Sequence, residues 1–434
     1  MLKRILILFL FVPFAGAAQT ATVLTYKDVV ELALKNNFDI QIAKNNADIS
    51  ARQNTYGNAG FLPSLDLNAT GGISNYNTKQ EFSTGVSVDK NGVASNNFTG
   101  GAYLSWTVFD GLRMFATKER LALMAQNGEL NLRLQIENTM QQVTLSYFMI
   151  VKQEQLIKGI NSAKAVSEER IKVAEKKLAL GSGSNVELLQ AKLDLNEQRS
   201  NLLTQQNSLN EYKSNLLVLL KTDPYSTFTV DSIFTFNEIK SSEEIKQTIE
   251  KTNTSILLAQ KDVLIGNQYV KEIRSQRLPS LALNANYIYA RSENGAGLTL
   301  LNRNIGYNLG FTFSWNLFNG FNTGNQLQVA RLQLENSNVI VESTKYSLFS
   351  SANIAYTRWL GDKQMLDLEE ENIKLAEESL KISMERLRLG LGNYLEIKES
   401  QQTYEDAITR LVNARYNLKA SETELRKLTG ELVK

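Results

Sequence analysis

A chain of 434 residues with 47 lysines and arginines against 45 aspartates and glutamates has a formal charge of +2. Lys3 and Arg4 alone supply that surplus, so no basic face is offered to nucleic acid. Histidine and cysteine are absent, which removes the usual neutral-pH general base, thiolate nucleophiles, disulfides and most zinc sites; no catalytic, cofactor-binding or metal-binding set is expected, and the chain reads as a non-enzyme.

The N-terminus, MLKRILILFLFVPFAGAAQT, carries two cations, an apolar run from Ile5 to Phe14 and then small residues. It reads as a secretory signal peptide over residues 1–18, cut near Ala18. No later stretch offers the ~20 consecutive apolar residues of a spanning helix, and LLVLL at 216–220 is too short. An exported chain of this kind is either soluble or embedded through a β-barrel.

The remainder is one unit written twice. ALKNNFDIQIA at 33–43 aligns with IEKTNTSILLA at 249–259, and LPSL at 62–65 with LPSL at 278–281. Further on, LSWTVFDG at 104–111 echoes FSWNLFNG at 313–320, and LGSGSNVEL at 180–188 echoes LGLGNYLEI at 389–397. Residues 19–224 form the first repeat and 241–434 the second, with a connector at 225–240 that holds YSTFTVDSIFTF. Each repeat opens on a helical stretch, at about 26–59 and 241–276, followed by a proline, two alternating segments and a very long helical region.

Strands are predicted at about 64–77 and 98–109, and again at about 280–290 and 303–318. From 305 to 317, Ile305, Tyr307, Leu309, Phe311, Phe313, Trp315 and Leu317 share one face, and small or polar residues share the other. A half-buried sheet of a soluble sandwich has this period too, but a transmembrane barrel with a wet lumen matches the polar-face chemistry of Gly, Ser, Thr and Asn. Four strands cannot close around a lumen, since the smallest membrane barrels have about eight. Two chains or three must therefore share the barrel.

From Arg113 to about Leu180 there is no proline, so a helix of about 100 Å is predicted. Its return partner carries Leu188, Leu195, Leu202, Leu209 and Leu216, and the second repeat reproduces the spacing as Ile397, Tyr404, Leu411, Leu418 and Leu425. A strict seven-residue period predicts coiled-coil hairpins. They reverse at GSG and GLG, where Gly181 and Gly390 would end one helix in the left-handed conformation and Ser184 or Asn185, and Asn393, would cap the next. LGSGSN lacks the Gly-Lys-Ser/Thr ending of a phosphate loop.

Taken in order, the two LPSL motifs, WTVFDG and WNLFNG, and the turns KLALGSGSNVELLQAK and RLRLGLGNYLEIKESQ make the chain resemble the TolC-type outer-membrane efflux proteins. The resemblance implies an α+β membrane protein: a homotrimer with a 12-stranded barrel in the outer-membrane lipid of a Gram-negative bacterium and an α-helical periplasmic tunnel. It implies a passive exit duct in efflux or type I secretion, working with a periplasmic adaptor and an inner-membrane pump. The adaptor-contacting tips would be Leu180, Gly181 and Gly183 with Leu389, Gly390 and Gly392, and Trp106 and Trp315 would be barrel-interface aromatics. Acidic rings that narrow the tunnel in relatives match Glu396 and Glu399, and Glu187 is the first-copy match to Glu396. These glutamates are alternatively ordinary surface groups with Lys398 as partner. An arginine that latches the closed entrance in some members is replaced by Gly392, so that link is not expected to hold this entrance shut. The rival reading is a soluble periplasmic coiled-coil adaptor, which would have no use for membrane-type strands.

Overall fold

The computed structural model describes residues 22–432; the leader expected over residues 1–18 lies outside the described residues. In chain order the elements of the first repeat are β1 (Thr22–Leu24), α1 (Tyr26–Asn36), α2 (Phe38–Gln53), β2 (Ser64–Glu81), β3 (Ser87–Phe109), α3 (Arg113–Ala179) and α4 (Asn185–Leu220). After the connector strand β4 (Phe228–Val230) come α5 (Ser242–Thr252), α6 (Thr254–Ser275), β5 (Ser280–Asn294), β6 (Leu301–Ser314), α7 (Asn322–Arg388) and α8 (Tyr394–Leu428). The order from α1 to α4 recurs from α5 to α8, and α3 and α7 each run for 67 residues.

Two contact-rich units divide the chain. The first takes the described residues up to Phe38 with Thr139–Ile239 and Ala355–Leu425; the second takes Asp39–Asn138, Lys240–Ile354 and the described residues from Arg426.

In the first unit the long helices form antiparallel hairpins, as the pairing of rising with falling residue numbers shows. Gln153 donates to the Gln205 carbonyl at 2.9 Å and Arg170 to Asp194 at 2.9 Å along α3 and α4. Arg410 pairs with Glu369 at 3.1 Å and Arg386 with Glu396 at 2.8 Å along α8 and α7. The seven-residue seam is the buried one: Leu188, Leu195, Leu216, Ile397, Leu411, Leu418 and Leu425 are all inside. Against this core β1 lies parallel to β4, Thr22 opposite Phe228. Tyr147 sits beneath the pair, its hydroxyl donating to the Leu24 and Asp231 carbonyls at 3.4 Å. The connector expected to be a short strand or irregular is therefore both, with its strand completed by the start of the described chain.

The helical stretches expected at 26–59 and 241–276 are each split in two, at Asn37 and at Asn253. At the second break the Asn253 side chain accepts from the backbone N–H groups of Ser255 and Ile256 and so caps α6. Thr25 with Asp28, and Ser241 with Glu244, close reciprocal capping boxes at the starts of α1 and α5.

The second unit contains an open antiparallel sheet in the order β2-β3-β5-β6. Three corrections apply to the strand boundaries. β2 and β3 extend to Glu81 and back to Ser87, across a stretch read as loop because its residues are mostly polar. β5 likewise runs on to Asn294, and β6 begins at Leu301. β6 ends at Ser314, so Trp315 and Leu317 follow the strand instead of belonging to it.

The repeated WTVFDG and WNLFNG are strand-to-helix turns. Asp110 accepts from the Met114 N–H at 3.1 Å, and Asn319 from that of Thr323 at 3.4 Å. Gly111 and Gly320 take φ of 71° and 67°, and the next residues, Leu112 and Phe321, are left-handed as well. Consecutive left-handed residues turn the extended chain sharply toward the helix.

Candidate functional site

Three features carry functional information: the exposed sheet face, the two hairpin turns, and a buried polar network in the hairpins.

The apolar face of the sheet is uncovered. Leu67, Ile73, Leu309 and Phe311 are 83%, 85%, 76% and 73% exposed, and Leu65, Ile305, Tyr307 and Phe313 are exposed beside them. Contiguous apolar surface on this scale is costly in water and marks a surface made to be covered. At one end of that face stand the two predicted interface tryptophans. The Trp106 indole donates to the Phe61 carbonyl at 2.9 Å and the Trp315 indole to the Arg277 carbonyl at 3.2 Å. β2 and β6 each pair on one side only, with β3 and β5 respectively, so both edges of the sheet are open among the described residues.

Each hairpin turn is a left-handed helix stop. At the first, Gly181 (φ 69°) donates to the Leu178 carbonyl at 3.0 Å and Ser182 to that of Lys177 at 3.0 Å. At the second, Gly390 (φ 75°) donates to Leu387 at 3.2 Å and Leu391 to Arg386 at 2.9 Å. These two bonds in each turn are the paired carbonyl closures that a glycine after a helix permits. The next helices start on the expected caps: Ser184 accepts from Val186 N–H at 3.2 Å and Asn393 from Glu396 N–H at 2.8 Å. Gly183 and Gly392 press against the preceding helix, where a Cβ would come within 2.7 Å of the Leu178 nitrogen and 3.2 Å of Arg386 Cβ. The apolar residues of the turns point outward, with Leu180 at 82% and Leu389 at 71% exposure.

The three predicted glutamates have different surroundings. Glu396 accepts from Arg386 Nε at 2.8 Å, and the same guanidinium reaches the Leu391 carbonyl at 3.3 Å, so Arg386 clasps the second turn. Glu399 is exposed, and among the described residues neither its carboxylate nor that of Glu187 has a side-chain partner. The partnership expected for Lys398 is corrected: its ammonium turns to Asp194 Oδ1 at 3.2 Å, because that carboxylate is buried and needs donors to offset its lost hydration, whereas Glu399 is exposed to solvent.

Asp194 centres a network that sequence reasoning missed. Arg170 Nη2 donates to Asp194 Oδ2 at 2.9 Å and its Nη1 to Gln401 Oε1 at 2.8 Å. The guanidinium lies over the Tyr394 ring, 4.7 Å from its centre, and the Tyr394 hydroxyl donates to Asp194. Gln401 in turn donates to Ser167 Oγ at 2.9 Å and Glu405 at 2.8 Å, and Gln198 holds Glu405 from α4. Helices α3, α4 and α8 are thereby joined by charge-assisted bonds in a desolvated place. One signal was available: Gln401 follows Ile397 by four residues, so it occupies a seam position that an apolar side chain would ordinarily fill.

Burial alone would push the Asp194 carboxyl up; the hydrogen bonds from Tyr394, Lys398 and Arg170 and the guanidinium charge outweigh it and hold the group below its ordinary value. Glu405 goes the other way, raised by burial. A depressed carboxylate contributes stability above its unfolded value and loses it as pH falls through the lower folded one. Acid melting of the extracted protein below about pH 4 is therefore expected to flatten in Asp194→Asn relative to wild type; an identical acid limb would show that the network is not linked to stability.

No group of His, Cys, Asp or Glu that could hold a metal is present among the described residues. No helix among them is long and apolar enough to cross a membrane.

The sequence matches the family model described as outer membrane efflux protein over residues 29–220 and 246–431, one match per repeat. The fold is similar to that of the Campylobacter jejuni CmeC outer membrane channel, with a TM-score of 0.78 at 20% identity, covering 94% of this chain and 85% of that one. It is similar too to the Vibrio cholerae outer membrane protein VceC, with a TM-score of 0.74 at 16% identity, covering 93% and 96% of the two chains. The open state of the Neisseria gonorrhoeae MtrE outer membrane channel gives a TM-score of 0.74 at 16% identity, covering 94% and 89%. No curated protein sequence matches the chain.

Proposed function

The chain belongs to the outer membrane efflux protein family, and on that premise we propose that it is a passive exit duct, three copies of which close one 12-stranded barrel in the outer membrane of a Gram-negative bacterium. The helical hairpins continue the water-filled path through the periplasm. A periplasmic adaptor docks on the turns at Leu180, Gly181 and Gly183 and at Leu389, Gly390 and Gly392, and an inner-membrane pump supplies the energy.

One observation carries this reading: a four-stranded sheet with an uncovered apolar face and two open edges. An isolated sheet of this kind leaves apolar surface in water and unpaired N–H and C=O groups on both edges. Lipid on the face and another copy at each edge satisfy all of these together. A particle of three chains in the detergent extract of outer membranes, conducting ions when reconstituted, supports the duct. Recovery as a monomer in the soluble fraction overturns it.

The turns supply a second test. Proline cannot adopt the φ of 75° at Gly390, whereas the sheet lies in the other unit. Gly390→Pro is expected to insert and form the particle normally but to lose export, read as accumulation of a dye substrate in cells. Loss of the particle itself would contradict the separation of roles.

The acidic positions supply a third. A ring of Glu399 side chains, one from each copy and without a neutralising partner among the described residues, concentrates negative potential where the path narrows. Glu396 has its charge largely met by Arg386. Block of the reconstituted pore by a trivalent cation is thus expected to weaken several-fold in Glu399→Gln and Glu187→Gln, and less in Glu396→Gln. Unchanged block in all three would remove the constriction from these residues.

A further inference from the structure

We propose that the cleft between the start of α3 and the end of α6 binds one glycerophospholipid with an anionic phosphodiester headgroup per chain. The proposal rests on the outer-membrane reading of the sheet and names a ligand of that same region.

The cleft has a volume of about 890 Å³ and lies wholly within the unit that holds the sheet. Its lining is divided by chemistry. Leu112, Phe115 and Leu278 give it an apolar wall, and Lys271, Arg274 and Arg277 give it a cationic one, against the single carboxylate of Glu119. None of the three cations has a side-chain acceptor among the described residues, and all three are exposed. Neighbouring cations of the same helix end repel one another unless an anion sits between them. Salt bridges elsewhere on these helices show that the walls are already fixed without them: Arg120 of α3 holds Glu272 of α6 at 2.7 Å.

Position decides which anion. Trp315 donates to the carbonyl of Arg277, and Trp106 to that of Phe61, whose ring meets Phe115 edge to face at 5.0 Å. The cleft therefore lies between the two indoles that end the exposed apolar face. Tryptophans anchored in this way mark the level where acyl chains give way to headgroups. At that level, long basic side chains meet lipid phosphates and an adjoining apolar wall meets the first methylenes of an acyl chain. A free phosphate would use the cations and leave Leu112 and Phe115 exposed; a neutral apolar ligand would leave the cations unmet. A lipid with a charged phosphodiester satisfies both walls.

The test uses the full-length protein reconstituted into vesicles of phosphatidylcholine and phosphatidylglycerol, then re-extracted and weighed by native mass spectrometry. Wild type is expected to retain phosphatidylglycerol in preference to phosphatidylcholine, at one molecule per chain, with excess inorganic phosphate failing to displace it. Lys271→Gln with Arg274→Gln should weaken retention roughly tenfold or more, at about 1 kcal/mol for each cation near a lipid surface, while Lys271→Arg retains it. The chain has no native cysteine, so a fluorophore on Leu112→Cys reports independently, and brominated phosphatidylglycerol should quench it more strongly than brominated phosphatidylcholine. Equal retention by wild type and the double variant overturns the proposal, as does full displacement by inorganic phosphate, which would make the cleft a simple anion site. Insertion without any retained lipid overturns it and leaves the duct standing. Failure to insert into the vesicles overturns the membrane reading and this proposal with it.

Discussion

Gly111→Ala is expected to destabilise the protein strongly, whereas Gly320→Ala at the matching position of the second repeat should be tolerated. Both glycines are left-handed, and a side chain in that region costs about 1–2 kcal/mol. The difference is space. A Cβ on Gly111 would come within 2.4 Å of the Ser275 carbonyl oxygen and 2.8 Å of Leu278 Cβ, while nothing lies within 4 Å of one on Gly320. The first obstacle is backbone at the end of α6 and cannot rotate away, so overpacking adds about 1–3 kcal/mol. Thermal melting of the extracted protein and the yield of inserted protein should therefore fall for Gly111→Ala well beyond the loss for Gly320→Ala. Equal losses would mean that the close approach between α3 and α6 is not maintained in the membrane.

Arg170→Met should also be severe, for an electrostatic reason. Arg170 and Asp194 are both buried, and among the described residues Asp194 would keep only Lys398, Tyr394 and Gln190 as side-chain partners. Breaking a buried pair from one side costs about 3–5 kcal/mol, because the remaining charge is left desolvated. Lys398 should bring the loss to the lower end of that range. Arg170→Met combined with Asp194→Leu is expected to recover much of it, since an apolar replacement of both partners removes the uncompensated charge. If the double variant melts below the single one, the carboxylate is serving Lys398 and Tyr394 and not Arg170.

Much of the fold was legible because it is periodic. Long proline-free stretches announced α3 and α7, the spacing from Leu188 to Leu216 announced the buried seam, and Gly181 and Gly390 announced where the helices stop. What remained hidden was of three kinds. The end of β2 beyond about residue 77 and the start of β3 before 98 lack apolar alternation, so only pairing with a neighbouring strand reveals them. The parallel contact of β1 with β4 joins segments some two hundred residues apart, and no local pattern encodes it. The network around Asp194 on α4 likewise draws Arg170 from α3 and Tyr394 and Gln401 from α8, and apart from the seam spacing of Gln401 no local pattern links them. Gly159, inside α3, marks a close contact: a Cβ there would come within 2.5 Å of the Ile408 side chain on α8.

The open edges of the sheet bear on how the protein comes into being. In the proposed three-copy duct, a chain whose outer strands β2 and β6 lack a second neighbour among the described residues has no finished form of its own, so folding and association become a single event. Its stability then depends on how many copies are present: dilution acts as a denaturant, and the unfolding midpoint should rise with protein concentration. On that reading, each chain that has yet to meet its partner copies carries a sticky rim and an oily face, and is a substrate for escort or for degradation.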